Sequence, residues 1–171
     1  MRWDNLFSDL EGQLSSERDA QFQADVAELT RAERASVDLA SRLVASRGST
    51  LRIGLVGGEI LADVVTDASA QWLLLGGSGP QTLVPLTAIA TVRGLAPRAA
   101  VVTEVERRIS LGHALRALSR DRAHVVANTA AGDVSGVVGA VGADHVDIAT
   151  SDNFAVTVPF AAIRWVRSAP S

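Results

Sequence analysis

Residues 36–93 read SVDLASRLVASRGSTLRIGLVGGEILADVVTDASAQWLLLGGSGPQTLVPLTAIATVR, and residues 110–167 read SLGHALRALSRDRAHVVANTAAGDVSGVVGAVGADHVDIATSDNFAVTVPFAAIRWVR. A constant offset of 74 superimposes the two without a gap: Ser36 falls on Ser110, Ala40 on Ala114, Arg42 on Arg116, Gly58 on Gly132 and Val64 on Val138. Val84-Pro85 falls on Val158-Pro159, Ala88-Ile89 on Ala162-Ile163, and Val92-Arg93 on Val166-Arg167. Leu51 with Val125, Ile60 with Val134, Leu74 with Ile148 and Leu86 with Phe160 are conservative pairs at the same offset. Chance matches would not hold one offset through both helical and strand-like stretches, so the chain reads as two copies of one supersecondary unit. Each copy has about 58 residues, a size at which a lone core is marginal. The copies are therefore expected to pack on each other or on neighbouring chains.

The spacing of apolar residues divides the unit. A helical stretch ends at Gly48, a glycine where helices commonly stop. Leu51, Ile53 and Leu55 then alternate with Arg52 and Gly54, the period of a half-buried strand. Gly57-Gly58 is a hairpin signal, because such turns need positive φ, and Ile60, Ala62 and Val64 carry the alternation back. Asp67–Ala70 is the next turn and Gln71–Leu75 a nearly continuous apolar strand. Gly76–Pro80 is a loop. Thr82–Val84 is a strand ended by Pro85, which cannot donate to a ladder. A single tight helical turn over Leu86–Ile89 and a last short strand over Ala90–Arg93 complete the unit. In the second copy Thr103-x-x-Glu106 is a capping-box pattern, Ala131-Gly132 takes the hairpin, and strands fall at equivalent places. The expected fold class is mainly β with N-terminal helices (α+β). Residues 1–35 form a helical segment, and 36–95 and 96–171 each form a helix followed by a five-stranded small barrel.

In the N-terminal segment Trp3, Leu6, Phe7, Leu10 and Leu14 share one helical face. Phe22, Val26 and Leu29 begin a heptad-like seam that Glu33 and Ser36 interrupt. Termini fray unless docked, so Trp3, Phe7 and Leu10 are candidate contacts to the body or to a protein partner. Composition bounds the rest. The chain has 171 residues, a formal charge of -3, no cysteine and, among 16 basic residues, arginine but no lysine. That bias fits a high-GC bacterial genome and is no evidence of an arginine-rich surface. The acidic balance argues against a strongly basic nucleic-acid footprint. The absence of cysteine removes thiol chemistry and thiolate metal sites. No apolar run approaches the ~18 residues of a spanning helix, and MRWDNLFSDLEG does not read as a signal peptide. A soluble cytoplasmic protein is expected.

A helix followed by five short, bent antiparallel strands resembles the Sm-like small barrels, a family that includes bacterial RNA chaperones. The family's first signature has an acidic residue followed four positions on by an Asn that contacts a base. The same spacing falls on Asp67 and Gln71 here, and on Val141 and His145 in the second copy. Val84-Pro85-Leu86-Thr87-Ala88-Ile89 occupies the place of the second signature, with Pro and Leu where the family has a basic residue and glycine. The V-P-x-x-A-I pattern also resembles photoreaction-centre-type small barrels, which are assembly modules. The resemblance implies tandem Sm-like or SH3-like barrels and, from the Sm-like side, an RNA-binding role.

Three function classes follow. RNA recognition would use Gln71 and His145 at the base-contact positions with Arg93, Arg164 and Arg167, and Arg52 beside them. Protein interaction or assembly would use barrel strand edges, which pair unless covered, and the N-terminal helix. Sm-like units close rings through such edges, so a homo-oligomer, for example three chains in a six-barrel ring, is one outcome. DNA binding would rest on the basic stretch Arg107–Arg116, yet a strand rather than a recognition helix is expected after it. For catalysis His113, His124 and His145 are scattered without metal-ligand spacing, and no Ser lies in a G-x-S-x-G elbow. Asp133 and Asp147 lack a supporting base, and Gly76–Gly79 leads into a strand rather than a helix that would hold an anion. The expectation is a non-enzymatic binding protein without metal or cofactor.

Overall fold

The computed structural model describes residues 16–31, 35, 37–77, 79–152 and 154–168. The chain divides into two units, Met1–Asp38 and Leu39–Ser171. In the first, residues 16–31 are helical, and Phe22, Val26 and Leu29 lie exposed along it. Trp3, Phe7 and Leu10, the expected partner contacts, lie outside the described residues.

The second unit is mainly β with a few helices. Helix α1 (Leu39–Ala45) precedes strands β1 (Thr50–Leu55), β2 (Ile60–Ala68), β3 (Trp72–Leu75) and β4 (Thr82–Pro85). A 3-10 turn over Leu86–Ala88 leads into β5 (Ile89–Arg93). Helices α2 (Glu104–Arg108) and α3 (Leu111–Arg120) follow, then β6 (His124–Thr129), β7 (Gly132–Val141), β8 (His145–Ala149) and β9 (Ala155–Pro159). A second 3-10 turn, Phe160–Ala162, enters β10 (Ile163–Ser168). Thr50 and His124 open β1 and β6, Leu86 and Phe160 open the two 3-10 turns, and Ile89 and Ile163 open β5 and β10, each pair 74 apart.

Local chemistry explains the boundaries. Gly57 and Gly58 take φ of 102° and 92° at the first hairpin and Gly132 takes 121° at the second, values that a side chain disfavours. Thr103 caps α2 in a complete capping box with Glu106. Where one helix is expected after that box there are two. Ile109 leaves helical geometry (ψ 88°) and Ser110 starts α3 afresh, its Oγ accepting from the His113 N–H. The turn expected at Asp67–Ala70 also falls later, because β2 runs on to Ala68 and the Ser69 N–H donates to the Trp72 carbonyl at 2.9 Å.

The strand order is β5-β1-β2-β3-β4-β10-β6-β7-β8-β9, every neighbour antiparallel. The two tandem barrels expected from the sequence are therefore not separate: one ten-stranded sheet runs through both copies. The reason is the pairing of β4 with β10, which sets Val166 opposite Leu83 and Arg167 opposite Thr82. Within each copy the order is last strand, then first to fourth. Register shifts interrupt β2 against β3 between Val65 and Asp67, and β7 against β8 between Val138 and Val141. Such irregularities bend and twist a strand, which lets the sheet curl over two cores.

Those cores exchange residues across the copies. Leu43, Leu51, Ile53, Leu73 and Val84 form one, and Trp165 from the second copy is buried with them. Leu111, Leu115, Val125, Ile148 and Ile163 form the other, and Trp72 and Leu83 from the first copy are buried with them. Trp165 Nε1 donates to Glu59 Oε2 at 2.9 Å and Trp72 Nε1 to the Ile109 carbonyl at 3.1 Å, so both indole donors are satisfied. Each core is thus completed by the other half, and the unit should unfold as one. Trp165→Ala is expected to cost about 3–5 kcal/mol in a urea titration followed by circular dichroism, with a single transition retained. Two separated transitions would show that the halves fold independently.

Candidate functional site

The residues proposed from the sequence occupy three kinds of place. Gln71 sits just before β3, where the turn after β2 delivers it to the start of α3. Its Oε1 accepts from the Leu111 N–H at 3.2 Å, and its carbonyl accepts from the Leu86 N–H at 2.9 Å. Gln71 therefore holds the second copy's helix against the first copy's 3-10 turn. Asp67, the acidic position four residues earlier, accepts from Arg47 Nε at 2.9 Å. His145, the matching position in the second copy, opens β8 with Nδ1 2.9 Å from Asp144 Oδ1. That contact holds the Asp144 carboxyl below its usual range.

The arginines divide between the junction and the free surface. Arg164 Nη2 donates to the Thr129 carbonyl, and its Nη1 lies over Gly57, where an added Cβ would collide with it. Arg167 stacks on Trp165, 4.6 Å from the ring centroid, and its Nε donates to Thr82 Oγ1 at 3.0 Å. Both brace the joint between copies. Arg93 is exposed on β5 and stands directly opposite Arg52 on β1. The five expected nucleic-acid residues are thus not gathered at one groove.

What sequence reasoning missed is a cavity of about 370 Å³ between the copies, bounded by Gln71, Pro85, Leu86, Thr87, Leu111 and Phe160. The two 3-10 turns that bound it stand at equivalent positions, but their approach depends on the β4–β10 pairing. A second cavity of about 240 Å³ lies between α3 and the joint, against Trp72, Leu83, Ala114, Leu118 and Val166. The other feature the linear sequence hides is the pair of sheet ends: among the described residues, β5 and β9 each have one strand neighbour. On β9, Ala155, Val156, Thr157 and Pro159 are exposed, and Phe154 just before it is 70% exposed.

Among the described residues no group of three or more His, Asp or Glu side chains is placed to hold a metal ion. No helix among them is long and apolar enough to cross a membrane. Asp133 accepts from Asn128 Nδ2 at 2.6 Å and Asp147 from Thr157 Oγ1 at 2.6 Å. The basic stretch 107–116 spans the end of α2, the break at Ile109 and the start of α3, and strand β6 follows α3. Compared with known proteins, the chain matches no family model and no curated protein.

One charge cluster ties the turn after α1 to β2 and α2. Arg47 Nη2 lies 2.7 Å from Asp67 Oδ1 and 2.8 Å from Glu106 Oε1. The hydrogen bond from Arg47, then those from the Thr103 N–H and hydroxyl, lower the Glu106 carboxyl from 4.5 to about 2. The same contact with Glu106 raises the Arg47 guanidinium further. A carboxyl lowered on folding contributes stability that is complete above pH 4.5 and is lost as pH falls from there towards 2. Urea midpoints measured across that range should decline, and Glu106→Gln should flatten the decline while lowering the neutral-pH midpoint.

Proposed function

We propose that this protein is a non-enzymatic assembly module that joins head to tail through its two free sheet edges. The observation that carries the reading is that β5 and β9 are the repeat counterparts of β10 and β4, the strands already joined within the chain. By the offset of the copies, Val92 and Arg93 correspond to Val166 and Arg167, and Val156 and Thr157 to Thr82 and Leu83. At the internal joint all four residues of β4 are buried, whereas on β9 only Val158 is. Ile163, Trp165 and Val166 are buried on β10, whereas no residue of β5 is. Covering β9 with a second chain's β5 would bury the same positions. Each half is read as an Sm-like small barrel opened into the shared sheet, in keeping with its strand order and bent second strand. A head-to-tail contact closes into a ring if its rotation closes and otherwise extends as a filament.

The offset sets Val156 opposite Arg93 at the inter-chain joint. Sedimentation of the full chain should give masses that are multiples of 17.9 kDa. Val156→Arg, which places like charges opposite each other, should return it to a single chain, and Arg93→Glu added to Val156→Arg should restore association. A single-chain mass at high concentration would remove this reading.

A second reading, RNA binding, is favoured by the cavity between the copies. Phe160 offers an aromatic face and Gln71 an amide, the two group types that stack on and hydrogen-bond a nucleobase. Fluorescence anisotropy with U-rich and A-rich RNA should show binding that weakens as salt rises. Phe160→Ala should lower the affinity by about tenfold, the ~1–3 kcal/mol of one stacked base. No binding at low salt would sink this reading.

A further inference from the structure

The first copy carries an arginine pair that the second copy lacks. Arg52 stands opposite Arg93, and Gly54 opposite Thr91, across β1 and β5. On the other flank of β1, Arg52 is opposite Ala62 and Gly54 opposite Ile60. Residues two apart along a strand share a face. Arg52, Gly54, Thr91 and Arg93 therefore form a two-by-two patch with Ile60 beside it. Because Gly54 has no side chain, the patch is hollow: these five residues bound a cavity of about 130 Å³. A Cβ on Gly54 would run into Thr91 Oγ1, so the hollow exists only with glycine at its floor.

The polar groups around the hollow are unspent. Among the described residues neither Arg52 nor Arg93 has an ion-pair partner, and Thr91 Oγ1 has no hydrogen-bond partner. Like charges set directly opposite on a sheet repel, and no carboxylate stands across from either of them. The second copy shows what a filled version contains. There Val126 replaces Arg52, Asn128 replaces Gly54 and Trp165 replaces Thr91. Arg167, the counterpart of Arg93, is committed to Trp165 and Thr82.

We propose that Arg52, Arg93 and the Thr91 hydroxyl form a binding site for a phosphate-type anion. Two guanidinium groups with a hydroxyl donor over an open floor offer charge-assisted hydrogen bonds to a tetrahedral oxyanion. Its charge relieves the repulsion between the arginines. The site rests on other observations than the edge-joining reading, but Thr91 and Arg93 lie on β5, so a joined edge would cover part of it. It also lies on other residues than the cavity beside Gln71 and Phe160.

The test uses the full chain carrying Val156→Arg, so that association contributes nothing to the signal, and inorganic phosphate as the probe. Isothermal titration calorimetry at constant ionic strength, with chloride replaced by phosphate, should give saturable one-site binding. Arg52→Gln or Arg93→Gln should each weaken it about tenfold or more, since a charged hydrogen bond is worth ~1.5–3 kcal/mol. Arg98→Gln, an exposed arginine elsewhere, should leave it unchanged. A 5′-phosphorylated oligonucleotide that displaces phosphate, when its 5′-hydroxyl counterpart does not, identifies a nucleic-acid terminus as the source. Displacement by neither identifies a free phosphorylated small molecule. Phosphate binding no better than chloride, or equal binding by the Val156→Arg chain with and without either Arg→Gln substitution, overturns the proposal.

Discussion

The pairing of β4 with β10 is the contact on which the rest of the second unit depends. It is short, with two residue pairs in register, but it brings Trp72 and Leu83 into one core and Trp165 into the other. A half of about 60 residues buries too little surface to stand securely alone, and two exchanged tryptophans supply what each half lacks. The polar side of the same joint is equally shared. Arg167 reaches Thr82, Arg164 covers Gly57, and Gln71 receives the first turn of α3. Loss of the joint would strip both cores of an aromatic and leave several of these donors and acceptors to water.

That sharing explains why the functional candidates separate as they do. A side chain that braces a joint between repeats sits at a repeat-equivalent position, like a functional residue copied twice. Arg93 and Arg167 are such a pair, and only their surroundings differ. Arg167 lies over the indole of Trp165 on its own strand and against Thr82 of the neighbouring half. Arg93 has no neighbouring half within the chain and stays exposed beside Arg52. The strands β4 and β10 are thus paired with each other, while β9 and β5, at the corresponding offsets, end the sheet.

Much of the local structure was legible from residue chemistry. The glycines at the two hairpins, the prolines ending β4 and β9, the single helical turns after them and the capping box at Thr103 all fall where their backbone demands place them. These features depend on neighbours within a few residues. The break at Ile109–Ser110 was less visible, because Ser110 is both a tolerable helix residue and a good cap, and its Oγ accepts from the His113 N–H. The candidate site was legible only in part. Gln71 and Arg93 were named from the sequence for nucleic-acid contact; the structure sets Gln71 beside one cavity and Arg93 opposite Arg52, while neither that cavity nor the hollow over Gly54 was foreseen.

By itself, the sequence determined much of the order of elements along the chain and the mainly β class, since alternation and turn residues are properties of neighbouring residues. Only the tertiary structure decided that the copies share one sheet, that their tryptophans cross over, and which copy of each edge stays open. The physical reason is that strand edges are made of backbone N–H and C=O groups, which every residue but proline offers alike. Side-chain spacing says which face of a strand is buried. Which edge meets which is settled by the packing of whole halves, and it leaves little mark on the order of residues.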